Sequence, residues 1–177
     1  MKEILVSQRG KIYIDYYPYA ERINPKLHNI VLQKANTWDI GATMTSWKCF
    51  LGDKDLEVIS TWVTNIIHNL TFSYDEMFEL KLKDFWGQYY NKGDYQVKHH
   101  HNPHHWSFVY FVNTPRGSSP LVFSESGREV KAEAGKLVLF PSWLEHYVPK
   151  NNSEERSIVA GNFVYILDWI QEKRRVK

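Results

Sequence analysis

Cysteine is almost missing from this chain: Cys49 is the only one among 177 residues. A single thiol excludes an intrachain disulfide framework and fits a reducing compartment. Charge of one sign is also scarce. The formal net charge is +2, so composition makes no case for a nucleic-acid partner. The basic run Lys173, Arg174, Arg175 and Lys177 reads as a solvated terminus. No stretch approaches the ~20 consecutive apolar residues of a membrane span. The opening Met1-Lys2-Glu3-Ile4-Leu5-Val6 lacks the apolar centre and cleavage site of a signal peptide. Internal repeats and low-complexity linkers are absent too. These absences point to a soluble cytoplasmic protein without a membrane partner, and they leave its oligomeric state open.

Aromatic side chains, by contrast, are plentiful: 11 Tyr, 9 Phe and 7 Trp. They favour sheets and can supply rigid pocket walls or simply fill a small β core. A chain of this length is expected to form a single domain over residues 1–177. Within it, residues 1–75 read as an N-terminal extension with strands and a supporting helix. Residues 76–168 read as a metal-binding jelly-roll core, and 169–177 as the basic tail.

The opening reads as strands Ile4–Ser7 and Lys11–Tyr16 around the turn-like Gln8-Arg9-Gly10. Asn24-Pro25 breaks the pattern, Asn29–Leu32 reads as a short strand, and Gly41–Phe50 as a longer one. One helix is expected over residues 55–70. Leu56, Ile59, Val63, Ile66, Ile67 and Leu70 recur at helical spacing there, with Asp53 or Asp55 able to cap the first turn. From Glu76 onward the pattern changes. Phe78, Leu80 and Leu82 alternate with charged residues, then Asn91-Lys92-Gly93-Asp94 makes a turn. Short segments follow at Ser107–Val112, Leu121–Phe123, Glu129–Ala132, Lys136–Phe140, His146–Val148 and Ser157–Leu167, separated by Gly, Pro and Asn turns. The fold expected is mainly β, an all-β barrel or jelly roll with that one supporting helix.

Against this background His99, His101 and His146 stand out. Side chains at i and i+2 of a strand share a face, so His99 and His101 can point inward together while His100 points out. The 45 residues from His101 to His146 allow several strands to bring the third imidazole back beside them. Three neutral imidazoles suit iron, nickel, copper or zinc without choosing among them. The other reading is a His-rich surface loop, since five histidines crowd positions 99 to 105. His146 alone could equally be an interfacial histidine bonded to a backbone carbonyl. Arg156 lies ten residues past His146 and heads an alternating run, on one face with Asn162. Its planar fork suits a carboxylate, although Glu154 and Glu155 could make it a surface ion pair.

The segment Trp86-Gly87-Gln88-Tyr89-Tyr90-Asn91-Lys92-Gly93-Asp94-Tyr95, the histidine cluster, Ser107-Phe108-Val109-Tyr110-Phe111-Val112 and Phe140-Pro141-Ser142-Trp143-Leu144-Glu145-His146 together resemble a known family. It is the 2-oxoglutarate- and iron(II)-dependent oxygenases common in tailed phages and marine bacteria, over roughly residues 80 to 166. The spacing from Gly93 to His99 and from Gly135 to Pro141 is also similar to that of cupins, so the resemblance implies a double-stranded β-helix, the cupin-like jelly roll. The resemblance implies Fe(II) and 2-oxoglutarate as cofactors, O2 as co-reactant, and hydroxylation of a substrate C–H bond. His99 and His146 would be metal ligands, and Arg156 would hold the remote carboxylate of 2-oxoglutarate. Asn162 and Tyr110 join Arg156 as expected cosubstrate contacts, with Trp86, Tyr90 and Trp143 as further walls. Prolyl-hydroxylase-like members imply a peptide substrate, and a phage source would imply the host cytoplasm.

One departure matters. The superfamily usually carries Asp or Glu where this chain has His101, giving a two-histidine, one-carboxylate triad. The ligand set favoured here is His99, His101 and His146. Asp94, Glu125 or Glu145 remain as possible carboxylate donors, and His100 or His104 as a slipped assignment. The competing functions are a non-catalytic jelly-roll binding or structural protein and a cupin-like metalloenzyme that does not use 2-oxoglutarate.

Overall fold

The computed structural model describes residues 1–6, 10–39, 41–71 and 78–167. Ser7, the turn residues Gln8 and Arg9, the boundary at 75–76 and the basic tail 169–177 lie outside the described residues. In chain order the elements are β1 (Lys2–Leu5), β2 (Lys11–Tyr16), α1 (Ala20–Lys34), β3 (Thr37–Asp39), β4 (Ala42–Met44), α2 (Glu57–Thr71) and β5 (Phe78–Tyr90). Then come β6 (Gln96–His99), β7 (Trp106–Asn113), β8 (Leu121–Phe123), β9 (Arg128–Val130), β10 (Lys136–Pro141), β11 (His146–Val148) and β12 (Arg156–Leu167).

Two antiparallel sheets face each other. The larger runs β1-β2-β10-β7-β12-β5-β4-β3 and the smaller β6-β11-β8-β9. This is the expected mainly β jelly roll. The N-terminal strands extend the larger sheet at both edges, with β1 and β2 beyond β10 and β3 and β4 beyond β5.

The central strands β7, β10 and the first part of β12 are buried on both faces, which explains their long apolar runs. On β7, Val109 and Phe111 pack toward the smaller sheet with Phe123, Val138, Phe140 and Ile158. Phe108, Tyr110 and Val112 point the other way, into a second core built with Leu27 and Val31 of α1 and Ile59, Val63 and Ile67 of α2. The helix expected over 55–70 is therefore present as α2, lying across the sheet as its apolar stripe requires.

A second helix, α1, stands where the sequence reads as a break and a strand. Asn29–Leu32 is helical, and Pro25 lies within the helix on its exposed side. Proline there forfeits only the bond to the carbonyl of exposed Glu21, while Asn24, Leu27 and Val31 turn inward. Sheet packing thus outweighs a weak local signal. The helix comes so close that a Cβ on Gly87 would lie 2.8 Å from Val31.

The strand expected over Gly41–Phe50 is only Ala42–Met44 long. After Met44 the chain leaves β4 and turns, held by Thr45 N–H on Gly87 O, Phe85 N–H on Trp47 O and Phe50 N–H on Phe85 O. That excursion places Trp47 above the interior of the jelly roll.

Candidate metal centre

Strands β6 and β11 pair with His99 directly opposite His146. His101 lies just beyond β6, where its backbone N–H donates to Ser142 O at 2.7 Å. The three rings converge. Centroids are separated by 4.3 Å for His99–His146, 4.9 Å for His99–His101 and 5.2 Å for His101–His146. One nitrogen from each lies within 4.8 Å of the others, a spacing that a single metal ion can bridge.

Two tautomers are set by the backbone. His99 Nδ1 donates to Val97 O and His146 Nδ1 to Leu144 O, each at 2.8 Å. Both bonds span two residues, so the strand itself orients each ring and leaves Nε2 as the lone-pair donor. All three imidazoles are held neutral. Burial, with His146 and His99 beside it, pushes His101 down to about 2. Burial and His99 push His146 to about 3, and burial likewise lowers His99.

A pH prediction follows for metal-free protein. An unfolded histidine titrates near 6.5, above these folded values, so below pH ~6.5 the unfolded chain binds protons that the folded chain refuses. Stability is therefore complete above that pH and falls as pH drops through the window, by up to ~1.4 kcal/mol per histidine per unit. The melting temperature should drop about 5–10 °C between pH 7 and 5.5, and less in His146→Leu. Identical pH profiles for the two proteins would contradict a buried neutral His146.

The histidines open onto a narrow cleft that also contains Trp47, Trp86, Tyr90 and Arg156. Arg156 heads β12 opposite Tyr90 of β5 and is 1% exposed. Its guanidinium carbon lies 4.3 Å from the Tyr90 ring centroid and 5.5 Å from that of Phe111. Nε and Nη1 are buried without a hydrogen-bond partner, and no carboxylate lines the cleft among the described residues. Burial lowers the Arg156 pKa, while Tyr90 opposes that shift. The surface ion pair with Glu154 or Glu155 does not form.

The remaining candidates separate. Asp94 takes the Asn91 N–H at 2.8 Å, away from the cup. Glu145 and Glu125 are exposed, as is His100. His104 instead meets Asp84, Nε2 to Oδ2 3.0 Å, and its Nδ1 donates to His101 O at 2.7 Å.

Two expected cosubstrate contacts need correction. Tyr110 lies on the helix-facing side of β7, where its hydroxyl donates to Asn24 Oδ1 at 2.7 Å. The face of a strand buried on both sides cannot be read from hydrophobicity. Asn162 lies beside the β12 bulge and receives Ser107 Oγ–H at 2.8 Å, while donating to Asp84 at 3.2 Å. It joins strands rather than lining the cleft. Trp143 is 43% exposed and belongs to an outer groove with His104, His105 and Trp106. Trp86 and Tyr90 do wall the cleft. Trp47, Gln88 and Gln96 join them unforeseen, although Trp86, Gln88 and Tyr90 share one face by simple alternation on β5.

Comparison with known proteins agrees with this architecture. Residues 124–162 match the family described as "Putative 2OG-Fe(II) oxygenase". No curated protein matches the chain in sequence. Among solved structures, a Pseudomonas putida prolyl-4-hydroxylase superposes with TM-score 0.67 at 17% identity, covering 86% of this chain and 92% of its own. A viral collagen prolyl hydroxylase from Paramecium bursaria Chlorella virus-1, in complex with 2-oxoglutarate, gives 0.63 at 14%, covering 85% and 95%. A Trichoplax adhaerens prolyl hydroxylase, in complex with a peptide fragment of the hypoxia inducible factor oxygen degradation domain, gives 0.65 at 14%, covering 94% and 86%. The fold is thus a prolyl-hydroxylase-like double-stranded β-helix. The segment that matches the oxygenase family model lies on β9 to β12 of that fold.

Proposed function

We propose that this protein is a 2-oxoglutarate- and Fe(II)-dependent dioxygenase that hydroxylates a C–H bond. The observation that carries this reading is one cleft holding both a converged histidine trio and a buried arginine with unpartnered N–H groups. His99, His101 and His146 would hold the metal through neutral nitrogens. Arg156 would hold the remote carboxylate of 2-oxoglutarate, which supplies the acceptors that Nε and Nη1 lack. When bound, iron and 2-oxoglutarate together supply the oxidising chemistry with O2.

The chain's share of the work is positional. Backbone carbonyls at Val97 and Leu144 fix two ligand rings, and the guanidinium lies over the Tyr90 and Phe111 rings. Val109, Leu121, Val148, Ile158 and Ala160 keep the walls apolar, which strengthens charge interactions inside. A peptide is the substrate class supported by the fold's likeness to prolyl hydroxylases, one of them seen with a bound peptide. No helix among the described residues is long and apolar enough to cross a membrane. With a lone cysteine, that supports a cytoplasmic setting.

A second reading, a cupin-like metalloenzyme without 2-oxoglutarate, is favoured by the missing carboxylate ligand. One experiment separates the two. Anaerobic reconstitution with Fe(II), then addition of 2-oxoglutarate and O2, is expected to yield succinate. Failure of fully metallated protein to bind 2-oxoglutarate in calorimetry would discard the oxygenase reading in favour of the second. Binding without turnover would keep it, because the primary substrate can be needed to trigger oxygen activation.

A further inference from the structure

Buried side-chain polar atoms without partners are few among the described residues, and they are not scattered. They are Trp86 Nε1, Ser124 Oγ, and Nε and Nη1 of Arg156. Three of these four atoms belong to two residues of the same cleft, and all three are donors. A folded interior rarely leaves such groups unmet, so each asks what accepts its hydrogen.

The cleft's own acceptors are spoken for. Gln88 Oε1 receives the Tyr90 hydroxyl at 2.8 Å, and Gln96 Oε1 receives the Gln88 amide at 3.0 Å. One ring nitrogen of each histidine converges on the others, where a metal would take its lone pair, and no carboxylate lines the wall among the described residues. The acceptor for the Trp86 indole must therefore come from a guest.

Strand register says which end of that guest it meets. Tyr90 lies opposite Arg156, Gln88 opposite Ile158 and Trp86 opposite Ala160. Trp86 and Tyr90 are thus about 13 Å apart along one face of β5. The Trp86 ring lies 5.8 Å from that of His101 and 4.5 Å from that of Trp47, and the residue is 3% exposed. Arg156 marks one end of the cleft, and Trp86 the end beside the metal ligands. A phenylalanine would fill the same wall without carrying a donor.

We propose that the Trp86 indole N–H is a second cosubstrate contact, donating to an oxyanion oxygen at the metal-binding end of 2-oxoglutarate. This rests on the oxygenase reading above. It makes the three-histidine cup a site that recognises a dianion at both ends with donors alone. The missing carboxylate ligand leaves more positive charge at the metal, and Trp86 orients the anion drawn there.

The test uses Mn(II)-loaded protein and calorimetry with two probes, 2-oxoglutarate and 2-oxopentanoate, which lacks the remote carboxylate. Trp86→Phe should weaken both by about tenfold or more while Mn(II) affinity is unchanged. Equal affinity in variant and wild type overturns the assignment. Loss confined to 2-oxoglutarate also overturns it, because the contact would then be at the Arg156 end. If the wild type binds no 2-oxoglutarate, the oxygenase reading falls and this contact falls with it. Should Trp86→Phe lose metal, the indole resonances of Zn(II)-loaded wild type decide. The Trp86 N–H should move downfield on adding 2-oxoglutarate, and an unmoved signal overturns the proposal.

Discussion

Replacing His146 with alanine is expected to reduce metal affinity by more than about 100-fold, measured by chelator competition with Mn(II) or Zn(II). Loss of a group that merely orients a ligand already costs about 10–100-fold, and His146 would be a ligand itself. Its position concentrates the effect. It is 2% exposed, directly opposite His99 in the β6–β11 pair, and anchored through Leu144 O. No described carboxylate or fourth histidine lines the cleft to replace it. His100→Ala should bind metal as the wild type does, because that side chain is exposed. Equal affinity in wild type and His146→Ala would overturn the ligand assignment. Parallel losses in both variants would mean that the histidine-rich segment binds metal loosely as a whole.

How much of this site was legible depends on how each residue is encoded. His99 and His101 were legible as an i, i+2 pair, although β6 ends at His99 and the bond from His101 N–H to Ser142 O holds the second residue. The return of His146 was legible from a run of short strands that had to close. Arg156 was visible as a fork heading an alternating strand. Its burial was not, because Glu154 and Glu155 beside it suggest a surface pair, and only the strand register turns it onto Tyr90. Tyr110 failed for a different reason. Ser107–Val112 is apolar on both faces, so hydrophobicity carries no parity signal to tell the helix side from the cleft.

The misread elements share a cause. In α1 the inward stripe is only Asn24, Leu27 and Val31, and Asn24 is kept there by bonds to Tyr110 and Val112. Such a helix exists because the sheet offers it a surface, which local sequence does not display. Gly41–Phe50 likewise has strand-forming residues, but beyond Met44 its hydrogen bonds go to Gly87 and Phe85 through a turn. That tertiary choice is what delivers Trp47 to the cleft.

The largest effects of opposite sign are expected at Arg156. In ligand-free protein its guanidinium is buried, with aromatic rings on its faces and two N–H-bearing atoms unpartnered. The ring faces offset part of the desolvation cost, but each unmet buried donor still costs about 1–3 kcal/mol. Arg156→Met keeps much of the apolar stem and removes the charge, so metal-free protein should become more stable by about 1–3 kcal/mol. For a domain of this size that raises the melting temperature by about 2–10 °C. The same substitution should weaken 2-oxoglutarate binding by about 100-fold or more, since it deletes one partner of a buried, charge-assisted contact. Mn(II) affinity should be unchanged, because the arginine is not one of the clustered histidines. A residue that merely supported the fold would behave in reverse, with a lower melting temperature and intact binding. Stability gained where binding is lost is the signature of a charge held in readiness for an anion.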